Sequence, residues 1–445
     1  MLTRAAKFLV ALSCCALLIR GAGEAGAEAR KADLESFELV WKTLRDRYWD
    51  QSMAGLDWQS VHDRYLLQVQ GARSKAEARG VINSMIRLLP SSHLAIIPGE
   101  LYRLPDTKGS LPVSNKGSRA GTSASDTAED DSGVTGLTVG LIGDRVVVER
   151  VEAGSSGAKA NVRPGWIING VDGQSTRELF TSLGEAQQIR SKSLLPQIVE
   201  SWLSGPPRST VNVTFIKGDG KSALCPLQLE EPAGEPVRFG NLPPEHVQIE
   251  HRTLEGGIGY IRLNLFLDPV GVMPEIEKAI HQFKDAPGIV LDLRNNPGGL
   301  AIMGMGIAGW FVSQDGARLG MMTSRDSTLN FVINPRLNPY RGRLAILVNG
   351  GSASTSEILA QGLRDLGRAR VFGTRTAGAA LPSNITQLPN GDRFQYPEAN
   401  YVSAQGRVLE GNGVELDTVV APTIPALLAG KDLPLEAAME WSKEK

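Results

Sequence analysis

Two continuous apolar runs in the C-terminal half of the chain constrain its fold most strongly. Residues 288–293 and 344–348 are dominated by aliphatic side chains. A strand of this composition is covered on both faces, as in a parallel sheet with helices on its two sides. Helical patterns at 270–283 and 354–366 alternate with these strands. The sequence therefore predicts an α/β domain around a mostly parallel sheet in residues 236–445.

The preceding part of the chain divides into three segments of different pattern. Apolar residues that recur at helical spacing predict an N-terminal helical domain over residues 28–104. Residues 105–132 are rich in Ser, Gly, Thr, Asp and Lys, which predicts a flexible linker. Short strand patterns, Asn-Gly and Asp-Gly turns and one helical pattern at 187–203 predict a small α+β domain over residues 133–235.

The first 27 residues have the pattern of a secretory signal peptide. Arg4 and Lys7 precede an apolar run at 8–19, and small residues then end in Ala25-Gly26-Ala27. An uncleaved anchor or a buried helix is the alternative interpretation. No later segment reaches the length of a membrane span. We therefore expect residues 1–27 to be removed and the protein to be exported, either periplasmic or secreted.

The composition excludes several classes of function. Lys and Arg number 47 and Asp and Glu 48, and a net charge of −1 provides no overall attraction to nucleic acid or to an anionic membrane. Cys14 and Cys15 lie in the predicted signal peptide, so Cys225 remains as a half-buried hydrophobic residue without a disulfide partner. The histidines lack the paired spacing of a metal site, and no phosphate-binding glycine motif is present. We therefore expect no metal, no cofactor and no nucleic-acid partner.

Residues 344–357 are the strongest candidate for catalytic chemistry. A buried strand ends in Asn349-Gly350-Gly351, and small hydroxyl residues then open a helix. This geometry can hold the Ser354 hydroxyl exposed at the end of a sheet, and the free N–H groups of the helix start can stabilise an oxyanion. Ser354 and Glu357 also fit a capping box, so plain helix capping is an equally good interpretation.

A second loop and a histidine could complete such a site. The loop at 295–299 follows the other buried strand, and its paired glycines allow the backbone to approach a ligand closely. It could offer a second N–H to an oxyanion, or it could be a turn without chemistry. A nucleophilic serine also needs a base. Composition alone does not choose among the five histidines, which are His62, His93, His246, His251 and His281.

Five motifs in order make the chain resemble a known family. They occupy residues 257–263, 291–299, 349–357, 373–378 and 409–415. They resemble the core motifs of the serine peptidases that comprise the C-terminal processing (tail-specific) proteases and the tricorn core protease. The resemblance implies the crotonase-like α/β core of these peptidases for residues 236–445. It implies a PDZ-like domain for residues 133–235.

One departure separates the two branches of this family. C-terminal processing proteases pair the nucleophilic serine with a lysine, but the matching position here is Ala379. The tricorn-like branch uses a histidine from a Ser-His pair and a glutamate near the C-terminal end. By this resemblance Ser354 is the nucleophile, and Nε2 of His93 is the general base. Ser92 is a possible polar helper.

The acidic partner of the base has two candidates. Glu410 is favoured, and Glu415 is the alternative because its Val-Glu-Leu-Asp context resembles a stretch common in the family. The N–H groups of Gly299 and Thr355 are the expected oxyanion donors, with Gly298 beside them in the substrate-binding loop.

The PDZ-like domain has an expected role of its own. Such domains capture a C-terminal carboxylate on backbone N–H groups and add the peptide as a strand. The expected ligand loop contains Gly136, Leu137, Gly140 and Leu141. The domain would bind the C-termini of polypeptide substrates or gate the catalytic site.

Two functions remain open from the sequence. The first is a serine endopeptidase of the cell envelope that cuts unfolded or C-terminally exposed chains. The second is a catalytically inactive homologue that binds peptides as an adaptor, an alternative motivated by the missing lysine.

Overall fold

The computed structural model describes residues 28–99, 133–182, 188–237 and 245–444. The predicted signal peptide and the predicted linker lie outside these residues. No helix in the described part of the chain is long and apolar enough to cross a membrane.

Three helices form the N-terminal part of the structure, as the sequence predicts. The side chains of Asp57 and Ser74 begin the second and third helices by accepting hydrogen bonds from N–H groups of the first turn. The buried side chains of these helices share one cluster with Phe394 and Tyr396, so the N-terminal part packs directly on the C-terminal part. The elements are α1 (28–47), a 3-10 turn (Met53–Gly55), α2 (Trp58–Gln70), α3 (Lys75–Ile86) and β1 (Ala95–Ile97).

Residues 133–237 form a second, strand-rich part with its own apolar core, which we call the middle domain. Its main sheet is antiparallel in the order β3-β4-β5-β8-β9, so β3 is an edge strand, and α6 packs beside it. The strands are β2 (Gly133–Val134), β3 (Leu137–Ile142), β4 (Arg145–Val151), β5 (Ile167–Val171), β6 (Gln174–Ser175), β7 (Ser204–Gly205), β8 (Thr210–Ile216), β9 (Ser222–Gln228) and β10 (Glu235–Val237). The helices are α4 (Ser156–Lys159), α5 (Thr176–Ser182) and α6 (Gln188–Trp202). Cys225 lies half-buried on β9.

The C-terminal part contains a six-stranded sheet in the order β12-β13-β14-β17-β18-β22. All neighbouring pairs are parallel except β12 with β13. The strands of this part are β11 (Glu245–Val247), β12 (Ile249–Thr253), β13 (Gly259–Leu263), β14 (Gly288–Asp292), β15 (Arg318–Ser324), β16 (Thr328–Val332), β17 (Arg343–Val348), β18 (Arg370–Gly373), β19 (Ser383–Gln387), β20 (Arg393–Pro397), β21 (Ala399–Ser403) and β22 (Thr418–Val419). The helices are α7 (Pro269–Gln282), α8 (Ala301–Ala308), α9 (Thr355–Asp365), α10 (Ile424–Leu428) and α11 (Leu433–Lys443).

The two apolar strands are buried on both faces. Leu344 and Ile346 of β17 face a cluster with residues of α7, α8 and α9. Their neighbours Ala345 and Leu347 face a second cluster that includes Ala438 of α11. Helices therefore cover both sides of the sheet, and the prediction of a layered α/β core is confirmed.

The C-terminal part also contributes to two three-stranded antiparallel sheets, and the sequence analysis missed both. One has the order β16-β15-β21, and the other has the order β1-β20-β19. In the second sheet, Ala95 to Ile97 pair with Arg393 to Gln395, which joins the N-terminal part to the C-terminal part. The turn residues Asn390-Gly391 between β19 and β20 are the hairpin signal that could have predicted this sheet.

Candidate active site

Ser354 occupies the sharp turn between β17 and α9. Its φ of 52° and ψ of −118° lie in a region that side-chain-bearing residues rarely adopt. Its side chain makes no capping hydrogen bond, whereas its neighbours Ser352 and Ser356 donate to the backbone oxygens of Leu293 and Asn296. The flanking hydroxyls thus fix the turn to the loop after β14, and the Ser354 hydroxyl stays available.

The two glycines after β14 pack closely on neighbouring segments, and Gly298 packs on this serine. A Cβ on Gly298 would stand 2.6 Å from the Ser354 Cβ, and a Cβ on Gly299 would stand 2.4 Å from the Phe266 oxygen. Both positions have positive φ, of 103° and 127°, which favours glycine. Gly298 therefore allows close approach to the Ser354 turn, and Gly299 allows close approach to the backbone at Phe266.

Two N–H groups of these loops are free to bind an oxyanion. Thr355 is the first residue of α9, where an N–H has no partner within its own helix. Neither its N–H nor that of Gly299 donates to another residue of the described segments. The N–H of Gly298 instead donates to Asn296 Oδ1 at 2.8 Å, so Gly298 serves the close packing and not the donor role.

Ser92, His93 and Glu410 form one hydrogen-bonded group. Ser92 Oγ lies 2.8 Å from Glu410 Oε2 and 2.8 Å from His93 Nδ1, and the Ser92 N–H donates to Glu410 Oε1 at 2.7 Å. An ionised carboxylate can only accept, so the Ser92 hydroxyl donates to Glu410 and accepts from the Nδ1–H of His93. This arrangement leaves the lone pair on Nε2 of His93.

Burial keeps the His93 ring neutral. It lowers the pKa of His93 to about 4, because the charged imidazolium loses its hydration there. A neutral imidazole with a fixed tautomer is suited to accept a proton at neutral pH.

Residues Ala379 and Ala380 connect this group to the serine. The Ser354 N–H donates to the Ala379 oxygen at 2.7 Å, and the Ala380 N–H donates to Glu410 Oε2 at 3.3 Å. The structure therefore brings Ser354 and the Ser92–His93–Glu410 group to the same loop, although the two lie far apart in the sequence.

Glu357 holds that loop in place, a role the sequence analysis did not assign. Its buried carboxylate accepts from Thr376 Oγ1 at 2.5 Å and from the N–H groups of Gly378 and Ala379 at 2.8 and 2.9 Å. It also accepts from the Ser354 N–H at 3.2 Å, as a capping box would require. Burial raises the pKa of Glu357, and these donors oppose the shift. Capping and catalysis are therefore compatible interpretations of this segment.

Tyr48, at the end of α1, also contacts the segment that carries Ser92. The sequence analysis did not identify it as a site residue. Its hydroxyl is hydrogen-bonded to Ser91 Oγ, beside Ser92. Arg325 Nε donates to the backbone carbonyl oxygen of Tyr48 at 2.7 Å, which ties this region to the C-terminal part. A buried tyrosine in a helical pattern is normally interpreted as a core residue. No sequence signal therefore distinguishes Tyr48 from the other core residues of the helices.

Other residues considered from the sequence lie outside this group. Glu415 is half-exposed and pairs with Arg364 at 3.0 Å and Arg407 at 3.7 Å. His62 contacts Glu38 and Asp63, and His251 lies 3.5 Å from Glu275. His246 and His281 also lie outside the Ser92–His93–Glu410 group. The His246 ring is hydrogen-bonded to the backbone oxygen of Gly234, and the His281 ring packs on Trp310.

The predicted ligand loop of the middle domain is also separate from the serine. Gly136 precedes β3 and packs on Ser155, and Leu137 is buried in the domain core. Gly140 and Leu141 lie on β3 and line a cavity of about 860 Å³ between the middle domain and the C-terminal part.

Comparisons with known proteins agree with this architecture. Residues 257–420 match the model of peptidase family S41, and residues 30–87 match that of the tricorn protease C1 domain. The chain therefore contains a peptidase S41 domain. It is accordingly a serine peptidase, which confirms that part of the sequence interpretation.

Relatives of the chain cover most of its length. A carboxyl-terminal-processing protease of Synechocystis is 26% identical over 408 residues, which are 90% of this chain and 84% of that protein. The chloroplastic carboxyl-terminal-processing peptidase 3 of Arabidopsis thaliana is 25% identical, over 85% of this chain and 67% of that protein.

Solved structures show the same fold. The photosystem II D1 C-terminal processing protease superposes with a TM-score of 0.56 at 22% identity, over 90% of this chain and 98% of that one. Mature CPAF in complex with lactacystin superposes with a TM-score of 0.60 at 14% identity, over 93% and 98% of the two chains.

Proposed function

We propose that the chain hydrolyses peptide bonds with Ser354 as nucleophile and His93 as general base. The observation that carries this assignment is the Ser92 hydroxyl, which bridges the Glu410 carboxylate and Nδ1 of His93. The bridge places the basic lone pair on Nε2. The imidazole is thus available as a base, whereas the lysine-dependent enzymes of the resemblance carry a lysine at the position of Ala379.

The reaction follows from these groups. Nε2 of His93 accepts the Ser354 proton as Oγ attacks the substrate carbonyl carbon. The new positive charge on the ring is stabilised through Ser92 by Glu410. The N–H groups of Gly299 and Thr355 bind the developing oxyanion. His93 then returns the proton to the leaving amine, and water releases the acyl group by the same steps in reverse.

We assign the acidic role to Glu410 and not to Glu415. The carboxylate of Glu410 accepts two hydrogen bonds from Ser92, whereas that of Glu415 is already paired with two arginines. Substrates in this proposal are polypeptides, by analogy with the carboxyl-terminal-processing names of the relatives. Removal of residues 1–27 and export to the periplasm or the medium belong to the same proposal.

We also propose that the middle domain is PDZ-like and takes part in substrate binding. Its edge strand β3 is flanked by α6, and a groove between an edge strand and a helix is the usual peptide site of such domains. The proposed domain boundaries remain 28–104, 105–132, 133–235 and 236–445.

Covalent labelling tests whether the proposed site is active. We expect a fluorophosphonate to label the folded chain at Ser354, because its Oγ is the activated nucleophile. Intact mass and peptide mapping of the labelled protein measure the result. A folded chain that stays unlabelled would support the inactive, peptide-binding homologue instead.

A further inference from the structure

The proposed base has a backbone conformation that its surroundings must maintain. His93 lies on the segment between α3 and β1, and its φ of 58° falls in the left-handed region that residues with side chains rarely adopt. Such a conformation persists only where neighbouring contacts fix it. The position of the ring also matters, since proton transfer requires Nε2 of His93 within hydrogen-bond reach of the nucleophile. The contacts that hold this segment therefore help to set the catalytic geometry.

Contacts hold the segment on both sides of His93. The strand β1 follows it and pairs with β20. Ser92, directly before it, is bonded to Glu410 through both its N–H and its Oγ. One position earlier, the Ser91 Oγ is hydrogen-bonded to the Tyr48 hydroxyl. The proposed chemistry uses Ser92 and Glu410, but it gives no role to the bond between Ser91 and Tyr48.

Tyr48 is itself held in place by several contacts. Its side chain is 1% exposed and packs in the apolar cluster of the N-terminal helices, and its N–H donates to the Leu44 oxygen at 3.0 Å. Its backbone oxygen accepts from Nε of Arg325 at 2.7 Å. Nη1 of the same arginine donates to the backbone oxygens of Arg45 and Asp46 at 2.9 and 3.0 Å. Arg325 thus closes the C-terminal end of α1, where helical carbonyl groups lack partners.

These contacts connect the base to the part of the chain that carries the nucleophile. Arg325 lies between β15 and β16 of the C-terminal part. The contacts run from Arg325 through the end of α1 and Tyr48 to Ser91, next to the Ser92–His93 pair. Burial raises the pKa of Tyr48, so its hydroxyl stays protonated at neutral pH. A buried hydroxyl without a partner costs free energy, which favours the arrangement in which Tyr48 and Ser91 stay together.

We propose that Tyr48 is a positioning residue of the peptidase, whose hydroxyl acts through Ser91 to hold the Ser92–His93 pair where the base reaches the nucleophile. The inference rests on the proposed function, because it concerns the base of the same reaction. It goes beyond packing, which requires the aromatic ring of Tyr48 but not its hydroxyl. A phenylalanine would fill nearly the same space, so the variant Tyr48→Phe separates the two roles.

Steady-state kinetics of Tyr48→Phe on a fluorogenic peptide test this role. We expect kcat to fall about tenfold and KM to stay within about twofold, because a displaced ring slows proton transfer without changing substrate contacts. The loss should grow as the pH falls from about 7 to about 5. A looser His93 ring is better hydrated, so its pKa rises from about 4 toward the ordinary value and less of the ring is neutral. A merely structural defect would lower the thermal unfolding midpoint and leave the shape of the pH profile unchanged.

Tyr340→Phe is the matched control, because it also removes a buried tyrosine hydroxyl. That hydroxyl donates to the Ala286 backbone oxygen at 2.8 Å, outside the segments that hold the base. The control should keep the kcat and the pH profile of the unaltered chain. Ser91→Ala tests whether Tyr48 acts through Ser91. It should cause the same loss as Tyr48→Phe, and the double variant should lose no more than either single variant. Losses that multiply in the double variant would overturn the inference.

A readout that needs no activity separates this inference from the proposed function. NMR titration of isotope-labelled histidine, assigned with the His93→Ala variant, measures the pKa of His93 directly. We expect Tyr48→Phe to raise that pKa by about one unit. An unchanged His93 pKa, or an unchanged kcat in the active enzyme, would overturn the inference. Failure of a fluorophosphonate to label Ser354 in the unaltered chain would instead overturn the proposed chemistry, and the titration would then decide on Tyr48.

Discussion

Replacing Ser354 by alanine should reduce peptide hydrolysis by at least about 10⁴-fold. The substitution removes the atom that forms the acyl bond, so the remaining acceleration would come from the oxyanion donors and substrate binding alone. The fold should survive, because the Ser354 side chain makes no capping hydrogen bond and its loop is held through backbone groups. Release of dye from labelled casein, with the thermal unfolding midpoint as a check, measures the effect.

Ser327→Ala is the matched control for that substitution. Ser327 is an exposed serine between β15 and β16, remote from the turn of the nucleophile in the sequence. Its variant should hydrolyse casein at the unaltered rate. Residual hydrolysis by Ser354→Ala within tenfold of the unaltered chain would mean that another group is the nucleophile.

His93→Ala should lower kcat/KM by at least about 10³-fold. Without the imidazole no neutral base remains in the Ser92–Glu410 group, since the serine hydroxyl is not basic and the Glu410 carboxylate is engaged by Ser92 and by the Ala380 N–H. The loss should appear in kcat, because the proton transfer occurs in the transition state. Steady-state kinetics on a fluorogenic peptide provide the measurement.

His246→Ala controls for general effects of removing a histidine. Its ring contacts the Gly234 oxygen, away from the catalytic group. This variant should keep full activity. If His93→Ala retained kcat while its unfolding midpoint was unchanged, the base would have to be another residue.

The core of the fold was predictable because its physical signal is local. Residues such as Leu344 to Val348 are apolar on both faces of a strand, as is typical of a parallel sheet that helices cover on both sides. The small sheet that contains β1 is different. Ala95 to Ile97 pair with residues almost 300 positions later, and three residues carry too little pattern to reveal such a partner.

The candidate site was predictable from the residues only in part. The strand–turn–helix pattern identified Ser354 as a candidate nucleophile, but helix capping explained the same residues equally well. The contacts of Glu357 show that the two interpretations are compatible, because its carboxylate accepts both from the Ser354 N–H and from the Ala379 N–H. The choice of His93 came from the resemblance to the family, because five histidines of similar context cannot be ranked by composition. The selection between Glu410 and Glu415 needed three-dimensional contacts, since only five positions separate the two.

The absent lysine has a structural counterpart in the loop at Ala379. Its N–H donates to Glu357 and its backbone oxygen accepts from the Ser354 N–H, so both backbone groups at this position help to hold Ser354 in place. The next N–H, from Ala380, contacts Glu410. The loop that would carry an amine in the lysine-dependent branch therefore serves here as a scaffold between the serine and the histidine group.

The pH dependence of kcat/KM tests the central claim most directly, namely that an imidazole replaces a lysine amine as the base. Burial lowers the pKa of His93 to about 4, so the basic, neutral ring persists throughout the range above that value. The account predicts full activity at pH 7 and a decline only as the pH falls well below 6 toward 4, with circular dichroism confirming that the chain stays folded. Activity that is negligible at pH 7 and rises between pH 8 and 10, as a lysine loses its proton, would contradict it.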